Sequence, residues 1–408
     1  MNPATLFIVI SMVIDAMGFG LILPVAPRLI MELTGTDLTH AAPIAGYLMV
    51  AYAAMQFVFA PVVGALSDHF GRRPVLLVSM AALSLDYLVM GVAPAIGWLF
   101  AGRVIAGIAG ATYPTANAVI SDVHPAPDRA RFFGILGAAW GVGFIAGPAL
   151  GGLLANFTLR TPFFAAAALA GANLLLGLIV FPETLAAEFR RPIVIARAHL
   201  FGSIGQLRRY AGLSFLLLVI FLFQIAHDTL PSTWAFFTMK QFAWTPQQVG
   251  VSLAVVGLSA VIVQGLLIGP ILRRLGEARS ASVGFAVGIV SMAGYAFATH
   301  AWIVYALIIF GAFFGLAMPS MQSMMSRRVP ANAQGELQGA IAGLQSVSAI
   351  IAPFVMTQLF QWATRPAAGA GFPGAPMLLG ALMLAGSWLM FAVAMRRVGA
   401  VDTISAGG

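Results

Sequence analysis

Cysteine and charged side chains are what this 408-residue chain lacks. It holds no cysteine, which excludes disulfide bonds and thiol chemistry. Only 8% of its residues are charged, whereas ordinary soluble domains carry about 25%. The hydrophobic share is 60% and the mean hydropathy is +0.95. A chain of this composition is expected to lie in a lipid bilayer, where each spanning helix needs about 20 mostly apolar residues.

Motifs of enzymes and of nucleic-acid-binding proteins are missing as well. No glycine-rich nucleotide loop, metal-ligand spacing or nucleophile constellation occurs on the expected helix faces. The formal net charge is +8, but the arginines fall in short loops between apolar runs, which is a pattern of membrane topology. His227 and Asp228 are neighbours, but consecutive helical residues point about 100° apart, so no metal site is expected there. We therefore expect neither an enzyme nor a nucleic-acid-binding protein.

Twelve apolar runs are long enough to cross a bilayer as helices. The expected spans are residues 5–28, 41–66, 75–93, 97–120, 130–155, 161–182, 213–238, 247–271, 279–299, 301–326, 335–362 and 374–396. The first run is too long for a signal peptide and lacks a basic leader, so it is expected to be retained. Arginine and lysine residues in alternate loops divide sixteen to four. By the positive-inside rule the richer side is cytoplasmic, so both termini are expected in the cytoplasm.

A polar segment in the middle of the chain predicts its domain organisation. We expect a six-helix bundle at 1–182, a cytoplasmic linker at 183–212, a second bundle at 213–396 and a cytoplasmic tail at 397–408. The fold class is therefore an all-α integral membrane protein with twelve transmembrane helices in two six-helix pseudo-repeats around a central cavity.

A weak internal repeat supports this division. Gly64 and Gly71 recur 205 residues later as Gly269 and Gly276, and each copy carries an arginine pair, Arg72-Arg73 in the first and Arg273-Arg274 in the second. The second copy has an arginine, Arg273, where the first has Asp68. Parallel repeats of this kind build cavities that open alternately to the two sides of a membrane.

The turn Asp68-His-Phe-Gly71-Arg72-Arg73-Pro74 follows the second expected span. Gly71 permits a tight backbone reversal, and Pro74 suits the first turn of the next helix. One interpretation is an ordinary positive loop that fixes topology. The other is an ion-paired latch between two helices that separate during a working cycle. The spacing G-x-L-S-D-x-x-G-R-R, which begins at Gly64, resembles the loop between helices 2 and 3 of major facilitator superfamily transporters.

Four ionisable residues fall inside expected spans: Asp15, Asp86, Arg103 and Asp228. A charge at the bilayer centre costs about 2.5–3.5 kcal/mol on insertion scales, so such residues face the protein interior. Asp86 and Arg103 flank the expected turn near residues 94–95 at similar distances, which allows an ion pair between them. The alternatives are a purely structural pair or a protonated aspartate. A carboxylate removed from water can bind and release a proton, which is the chemistry of a proton-coupled carrier.

The fifth expected span is rich in glycine. Gly143, Gly147 and Gly151 form one stripe at four-residue spacing, which lets another helix approach closely. Pro148 removes a backbone donor and should loosen the helix. Plain helix packing explains part of this pattern. However, G-x-x-x-G-P-x-x-G-G, which ends at Gly152, also resembles the antiporter motif of drug/proton exchangers and favours export.

Several longer stretches resemble tetracycline efflux proteins of the major facilitator superfamily. These stretches are Asp15–Val25, Ser84–Tyr87, Gly107–Thr112, Trp234 with Phe242–Trp244, Met318–Gln322 and Gln334–Gly339. That family exchanges a magnesium–tetracycline chelate for a proton across the bacterial inner membrane. The resemblance implies that Asp15 and Asp86 are intramembrane carboxylates, that Asp68 and Arg72 form a gating loop, and that Arg103 is the buried arginine of proton transfer.

The same resemblance implies the surroundings of the transported molecule. Polar residues expected in the substrate cavity are Gln56, Asp86, Thr112, Asn117 and Gln224. The expected partners are a small amphipathic drug, protons and the lipid bilayer, with a monomer as the expected state and an oligomer as the alternative. No resident cofactor or protein metal site is expected, because magnesium would travel with the drug.

Two positions depart from the family pattern. Where family members usually carry an aspartate in the ninth helix, this chain has Gly288, and a frequent histidine of the eighth helix is matched by Ala260. Asp228 on the seventh helix is a candidate replacement carboxylate, although it precedes an expected helix break near Pro231. The leading hypothesis is a proton-coupled exporter of tetracycline. The alternative is an exporter of other drugs or of an unknown metabolite, with little tetracycline transport.

Overall fold

The computed structural model describes residues 2–110, 112–191, 213–330, 333–365 and 371–405, and all regular structure in these ranges is helical. Twelve stretches are long and apolar enough to cross a membrane: Pro3–Ile22, Leu38–Phe70, Arg72–Val92, Ile96–Val123, Arg131–Leu154, Thr161–Val180, Leu213–Phe242, Pro246–Leu275, Glu277–Phe297, Ala301–Ser326, Gln334–Thr364 and Ala375–Met395. We number them spans 1 to 12. The prediction of an all-α membrane protein with twelve spanning helices is confirmed.

The first span is shorter than predicted. Its helix ends at Ile22, and a second helix, Ala26–Thr34, follows after three residues of turn. Pro24 lies in that turn and, having no N–H, cannot continue the hydrogen-bond ladder. The second helix ends at Gly35, which has φ 65° and provides a left-handed cap.

Three spans contain local departures from α-helical geometry. Span 4 consists of the helices Ile96–Ala109 and Thr112–Val123, with Gly110 between them. Span 8 begins as the helix Pro246–Ile262, passes through one π-helical turn at Val263–Leu267 and ends as the helix Ile268–Leu275. Span 10 has a 3₁₀ segment, Ala312–Leu316, between the helices Ala301–Gly311 and Ala317–Ser326. Such turns often mark functional regions of a helix.

The expected break of span 7 near Pro231 is wrong, because the helix Leu213–Phe242 passes through this proline without interruption. The hydroxyl groups of Ser232 and Thr233 donate to the carbonyl oxygens of Asp228 and Thr229. Serine and threonine side chains of this kind compensate for disturbed backbone bonding around a proline in a membrane helix.

The remaining helices are long and continuous. Span 5 belongs to the helix Ala126–Leu154, and the 3₁₀ turn Ala187–Phe189 follows span 6. Most of the expected linker lies outside the described residues. The last helix, Ala375–Ser405, extends beyond span 12, so the expected tail is helical as far as the structure describes it.

The chain forms two compact units. The first contains spans 1–6 together with Thr238–Gly257, and the second contains Leu213–Phe237 and the helices from Leu258 onward. A core cluster of the first unit joins Phe7, Ile8 and Met12 of span 1 to residues of spans 3, 4 and 5. In the second unit, Ile225 of span 7 packs against span 11. The expected boundaries at 182 and 213 stay a prediction.

Candidate functional site

An ion pair between Asp86 of span 3 and Arg103 of span 4 lies inside the first unit. Asp86 is 1% exposed, and the Arg103 side chain is 14% exposed. The turn between the two helices falls at Ala93–Ala95, so both residues lie at similar depth, and the structure forms the ion pair that this spacing allows. Gly102 makes the approach possible, because a Cβ there would overlap the Asp86 carboxylate.

This buried pair is only partly satisfied. Within the described residues, Asp86 Oδ1 and Arg103 Nε have no hydrogen-bond partner. The Arg103 guanidinium also lies 5.4 Å from the ring centroid of Tyr52, at cation–π distance. A partly satisfied charge pair in a low-dielectric interior is costly, and its open positions can accept a proton or a polar ligand. The arrangement therefore suits a carboxylate that exchanges its arginine partner for a proton or a polar ligand.

Gln56 of span 2 anchors the break in span 4. Its Nε2 donates to the carbonyl oxygen of Gly110 at 3.0 Å and lies 3.4 Å from the Tyr52 hydroxyl. One turn earlier, Gly107 lies against the backbone of Tyr52, where a Cβ would be 2.6 Å from the carbonyl oxygen. Spans 2 and 4 therefore meet through backbone, and Gln56 joins the polar group around Arg103.

Asp15 of span 1 belongs to the same region. It is 9% exposed, its polar neighbour is the Thr112 side chain, and it interacts electrostatically with Tyr52 and Tyr87. Asn117 is half-buried farther along span 4, and its carbonyl oxygen accepts from Ser121. In the part of the chain that the structure describes, the Asn117 side chain forms no hydrogen bond. Thr112 and Asp15 are thus brought together, whereas Asn117 is not joined to them.

The charged turn after span 2 forms an ion-paired cluster. Arg72 Nη1 lies 2.6 Å from Asp68 Oδ1, which confirms the pair across the turn. Arg72 Nε also lies 2.9 Å from Asp122 Oδ2 at the end of span 4, a partner that the sequence patterns did not single out. The Ser67 hydroxyl accepts a further bond from Arg72 at 3.2 Å. Spans 2, 3 and 4 are therefore tied together by one arginine.

Glu183, just after span 6, completes this cluster and was also missed. Its carboxylate accepts from the backbone N–H of Arg72 at 2.8 Å and of Arg73 at 3.2 Å. An acid is favourable at a helix N-terminus, where the first N–H groups lack partners. Gly71 has φ 107°, and a Cβ there would collide with Glu183. Gly64 has open space around it, so it is not needed for a close contact here.

A cavity of about 530 Å³ lies beside this cluster in the first unit. Asp68, Arg72 and Asp122 line one part of it, and the segment Thr184–Arg191 lines another. The Arg191 N–H donates to the Asp68 carbonyl oxygen at 3.1 Å. Arg73, by contrast, donates to the Leu178 carbonyl oxygen. The chain after span 6 therefore folds back over the turn.

The glycine stripe of span 5 packs against span 1, as its four-residue spacing predicts. A Cβ at Gly143 would overlap the carbonyl oxygen of Val13, and one at Gly151 would overlap that of Leu21. A Cβ at Gly147 would likewise lie too close to the backbone of Met17. Backbone meets backbone along this line, which small residues allow in membrane helices.

Pro148 and Gly152 meet the beginning of span 8 within the first unit. A Cβ at Gly250 would overlap the Pro148 carbonyl oxygen, and a Cβ at Gly152 would lie 2.8 Å from the Gln247 Cα. The segment that resembles the antiporter motif therefore packs against two different helices. Its packing function is shown by these contacts, whereas its relation to transport direction stays a prediction.

A second polar group surrounds Asp228 in span 7. Its carboxylate accepts from Gln224 Nε2 at 2.9 Å and from the Ser348 hydroxyl of span 11 at 2.8 Å. The His227 ring nitrogen lies 3.3 Å from Asp228 Oδ1, so these neighbours do touch despite their angular separation on the helix. The His227 ring stacks at 6.0 Å from that of Phe314. Gln224 and Asp228 are thus brought together in the second unit.

The structure leaves no space for a side chain at Gly288, the position where the resemblance implies an aspartate. A Cβ at this position of span 9 would be 2.5 Å from the Phe314 ring and 3.0 Å from the Leu384 side chain. An aspartate does not fit there because the aromatic ring fills the space.

Ala260 is half-buried in span 8, just before the π-helical turn. Among the described residues, no three histidine, aspartate or glutamate side chains are grouped closely enough to hold a metal ion.

Comparison with known proteins identifies the chain. Residues 8–353 match the model of the Major Facilitator Superfamily. The chain is 39% identical over 359 residues to the class C tetracycline resistance protein of Escherichia coli, covering 88% of this chain and 90% of that protein. The chain belongs to the tetracycline resistance family of the Major Facilitator Superfamily. A second relative, the class G tetracycline resistance protein of Vibrio anguillarum, is 39% identical over 362 residues, with 88% and 91% of the two chains covered.

Solved structures agree on the fold of this superfamily member. A point mutant of the nucleoside transporter NupG superposes with a TM-score of 0.79 at 14% identity, over 96% of this chain and 99% of the other. The human organic anion transporter MFSD10 superposes with a TM-score of 0.71 at 20% identity, again over 96% and 99%. The protein is therefore a multi-pass membrane transporter of a family that handles small molecules.

Proposed function

We propose that this transporter exports tetracycline, carried as a magnesium chelate, in exchange for protons. The observation that carries the proposal is the buried Asp86–Arg103 pair, with its unsatisfied carboxylate oxygen, in a chain 39% identical to a tetracycline resistance protein. The exchange needs a group that binds a proton in one state and a substrate in the other. A carboxylate that shares its charge with one buried arginine meets that need.

The proton and the drug would compete for the polar group of the first unit. When a proton binds Asp86, Arg103 loses its counter-charge. The cation–π contact between Arg103 and Tyr52 then contributes more to the stability of the buried guanidinium. Once the proton has been released, the charged Asp86 together with Asp15, Thr112 and Gln56 offers polar contacts to the incoming drug. Magnesium belongs to the transported molecule in this scheme, and the two aspartates are its candidate carboxylate contacts. Release of the proton restores the ion pair and returns the cycle to its start.

Asp228 would supply a second carboxylate in place of the one missing at position 288. Phe314 connects the two places, because it fills the space at Gly288 and stacks on His227 beside Asp228. The two side chains that donate to this carboxylate, Gln224 and Ser348, are neutral, so among the described residues only a protonated His227 could neutralise it. We infer that Asp228 takes part in proton coupling.

We place the transporter in the bacterial inner membrane with both termini in the cytoplasm and the Asp68–Arg72–Asp122 cluster on the cytoplasmic side. The uneven distribution of arginine supports this orientation. The cluster then acts as the latch that opens and closes with the cycle. We propose a monomer as the working state, with an oligomer as the alternative.

Inverted membrane vesicles with an acid interior test the proposal. Tetracycline uptake is measured with and without magnesium, with and without an uncoupler, in the unaltered chain and in Asp86→Asn. We expect uptake that needs magnesium, collapses with the uncoupler and is absent from the variant. Vesicles from cells without the protein supply the background.

The same assay decides the alternative, an exporter of other drugs, which the aromatic filling of position 288 favours. Ethidium, a lipophilic cation, is offered in parallel with tetracycline. Ethidium uptake without tetracycline uptake would contradict the tetracycline proposal and establish the alternative. If neither compound enters at any proton gradient, the proposal of drug export is wrong.

A further inference from the structure

The turn between spans 8 and 9 repeats the backbone geometry of the turn between spans 2 and 3. Gly71 is the single residue between its two helices and has φ 107° and ψ 164°. Gly276 is likewise the single residue between its helices, with φ 76° and ψ 168°. Both conformations lie in a region that is essentially restricted to glycine. The two glycines are 205 residues apart, the offset of the internal repeat.

At this offset the charges of the two turns are reversed. Asp68 corresponds to Arg273, Arg72 to Glu277 and Asp122 to Arg327. All three equivalent positions carry the opposite charge. The residues of the second turn can therefore still form ion pairs, with acid and base exchanged. The predicted repeat is therefore wrong in one detail. At the offset of 205 the equivalents of Arg72-Arg73 are Glu277-Ala278 rather than Arg273-Arg274.

The structure forms the reversed pair that this correspondence predicts. In the first unit Arg72 Nε lies 2.9 Å from Asp122 Oδ2. In the second unit Glu277 Oε1 lies 2.8 Å from Arg327 Nη2, again joining the start of one span to the end of the next. The Ser323 hydroxyl donates to the same carboxylate at 2.6 Å. Glu277 therefore occupies the place in span 9 that Arg72 occupies in span 3.

One contact distinguishes the second cluster from the first. Asp68 pairs with Arg72, whereas the Arg273 side chain folds back along its own helix, with Nη1 3.6 Å from the Cβ position of Gly269. In the described chain, the ion pair of Glu277 is with Arg327 alone. Arg273 stands four residues before Glu277, as Asp68 stands before Arg72, so it is positioned to take over the carboxylate.

We propose that Glu277 and Arg327 form a second latch of reversed charge, which holds the start of span 9 to the end of span 10 and releases it once in each transport cycle. The Arg327 side chain is 75% exposed, and an exposed ion pair adds little to folding stability. A pair that opens at low cost suits a moving part better than a structural one. The measurement of transport rests on the proposed function, whereas the labelling of an introduced cysteine does not.

Charge exchange tests the latch. Glu277→Gln and Arg327→Gln each remove one partner, and Glu277→Arg with Arg327→Glu restores a pair of opposite polarity. The initial rate of tetracycline uptake into inverted vesicles is measured against substrate concentration. We expect each single variant to lower the maximal rate about fivefold with little change in KM, and the exchanged pair to recover most of the rate. Arg274→Gln, the same charge change at an exposed neighbour, is the control and should match the unaltered chain.

The absence of cysteine allows a second readout that needs no transport. Ser280 lies one turn after Glu277 and is 0% exposed, so a cysteine placed there reacts with a water-soluble maleimide only when the helices separate. We expect labelling of Ser280→Cys to accelerate about fivefold in Glu277→Gln and to slow again in the exchanged pair. Ala278→Cys, which is exposed, should react equally in every background.

The outcomes separate the two proposals. If the single variants change neither the rate nor the labelling, or if the exchanged pair recovers neither, the latch is wrong. If they lower the thermal midpoint while the rate per folded molecule is unchanged, the pair is a structural contact and the latch is again wrong. If the unaltered chain takes up no tetracycline, the proposed function fails, and the labelling alone still decides the latch.

Discussion

Span 5 against span 1 and span 11 against span 7 are equivalent contacts built in different ways. At the offset of 205, Gly143, Gly147, Pro148 and Gly151 correspond to Ser348, Ala352, Pro353 and Met356. The glycines let span 1 touch span 5 through backbone. In the second unit, Ile225 packs against the Ala352 and Met356 side chains, and the Ser348 hydroxyl donates to Asp228.

This difference shows how one repeat can serve two tasks. The first unit brings its helices close and pairs Asp86 with Arg103. In the second unit side chains lie between the helices. The Asp228 carboxylate there accepts hydrogen bonds from the neutral side chains of Gln224 and Ser348. The proline is retained in both copies, whereas the residues around it decide whether the two helices meet through backbone or through side chains.

Removal of Asp86 and of Asp228, two of the three intramembrane carboxylates, should separate these tasks most clearly. Asp86→Asn leaves Arg103 buried without a counter-charge, so we expect drug uptake to fall at least about 100-fold and stability to fall by about 3–5 kcal/mol. Asp228→Asn leaves no fixed cation unpaired, so we expect lost proton coupling with a stability change below about 1 kcal/mol. Uptake in vesicles and the free energy of unfolding in detergent measure the two effects.

Glu188→Gln is the control, because it removes an exposed carboxylate that lies outside the spans. It should leave both quantities unchanged. Equal loss of stability in the two aspartate variants would show that the second unit also depends on a buried charge pair. Proton-driven export that survives Asp228→Asn would remove this residue from the coupling scheme.

Exchange of one residue between the repeats tests the packing difference directly. Gly143→Ser introduces the residue of the second repeat, but its Cβ would overlap the Val13 carbonyl oxygen. We expect a loss of about 1–3 kcal/mol, since the two helices must move apart. Gly137→Ser places the same side chain on the same helix where nothing lies within 4 Å, and it should cost less than half as much. Thermal unfolding of the purified variants measures the difference, and equal costs would contradict the backbone contact.

The two glycine turns provide a finer comparison. Gly71→Ala and Gly276→Ala both force a side chain into a glycine-only conformation, which costs about 1–3 kcal/mol. At Gly71 the new Cβ also collides with Glu183, whereas at Gly276 it meets open space. We therefore expect the first substitution to destabilise the protein more, and Gly71→Ala combined with Glu183→Ala to cost less than the sum of the two changes. Additive costs would show that the collision is relieved elsewhere.

The sequence predicts the features that depend on local order along the chain. The twelve spans follow from hydropathy, the Asp86–Arg103 pair from its spacing about a short turn, and the glycine stripe from its four-residue period. Contacts between distant segments could not be read in this way. Asp122 and Glu183 reach Arg72 only because the ends of spans 4 and 6 meet at its turn, and an acid near a loop is by itself an ordinary solvated charge.

One error arose from context that a single sequence does not show. Pro231 was expected to break span 7, but neighbouring hydroxyl groups satisfy the backbone and the helix continues. At Gly288 the sequence shows only that a side chain is missing, and it does not show that the Phe314 ring fills the space. The extension of the first span to residue 28 was also wrong, and here Pro24 was a usable signal.

The smallest effect is expected at the beginnings of spans 2 and 8, equivalent helices with different caps. Asp37 accepts from the His40 N–H at 3.0 Å, whereas Thr245 and Gln248 cap each other, with bonds of 2.9 and 3.3 Å. Partial burial acts to raise the pKa of Asp37, but hydrogen bonds from the His40 side chain and backbone and the charges of His40 and Lys240 together lower it below its ordinary value of 3.8. A lowered pKa in the folded state stabilises the protein above the ordinary value, and this contribution is lost as the pH falls through the folded-state pKa.

Asp37→Asn keeps a capping oxygen and removes the charge, so it should cost a few tenths of a kcal/mol at about pH 7 and less at about pH 3. Thr245→Ala removes a neutral cap and should cost about 0.5–2 kcal/mol at both pH values. The thermal midpoint of each variant, taken relative to the unaltered chain at the same pH, measures these costs. A cost of Asp37→Asn that is undiminished in acid would show that the carboxylate contributes through its shape at the cap, and the two helices would then begin in the same way.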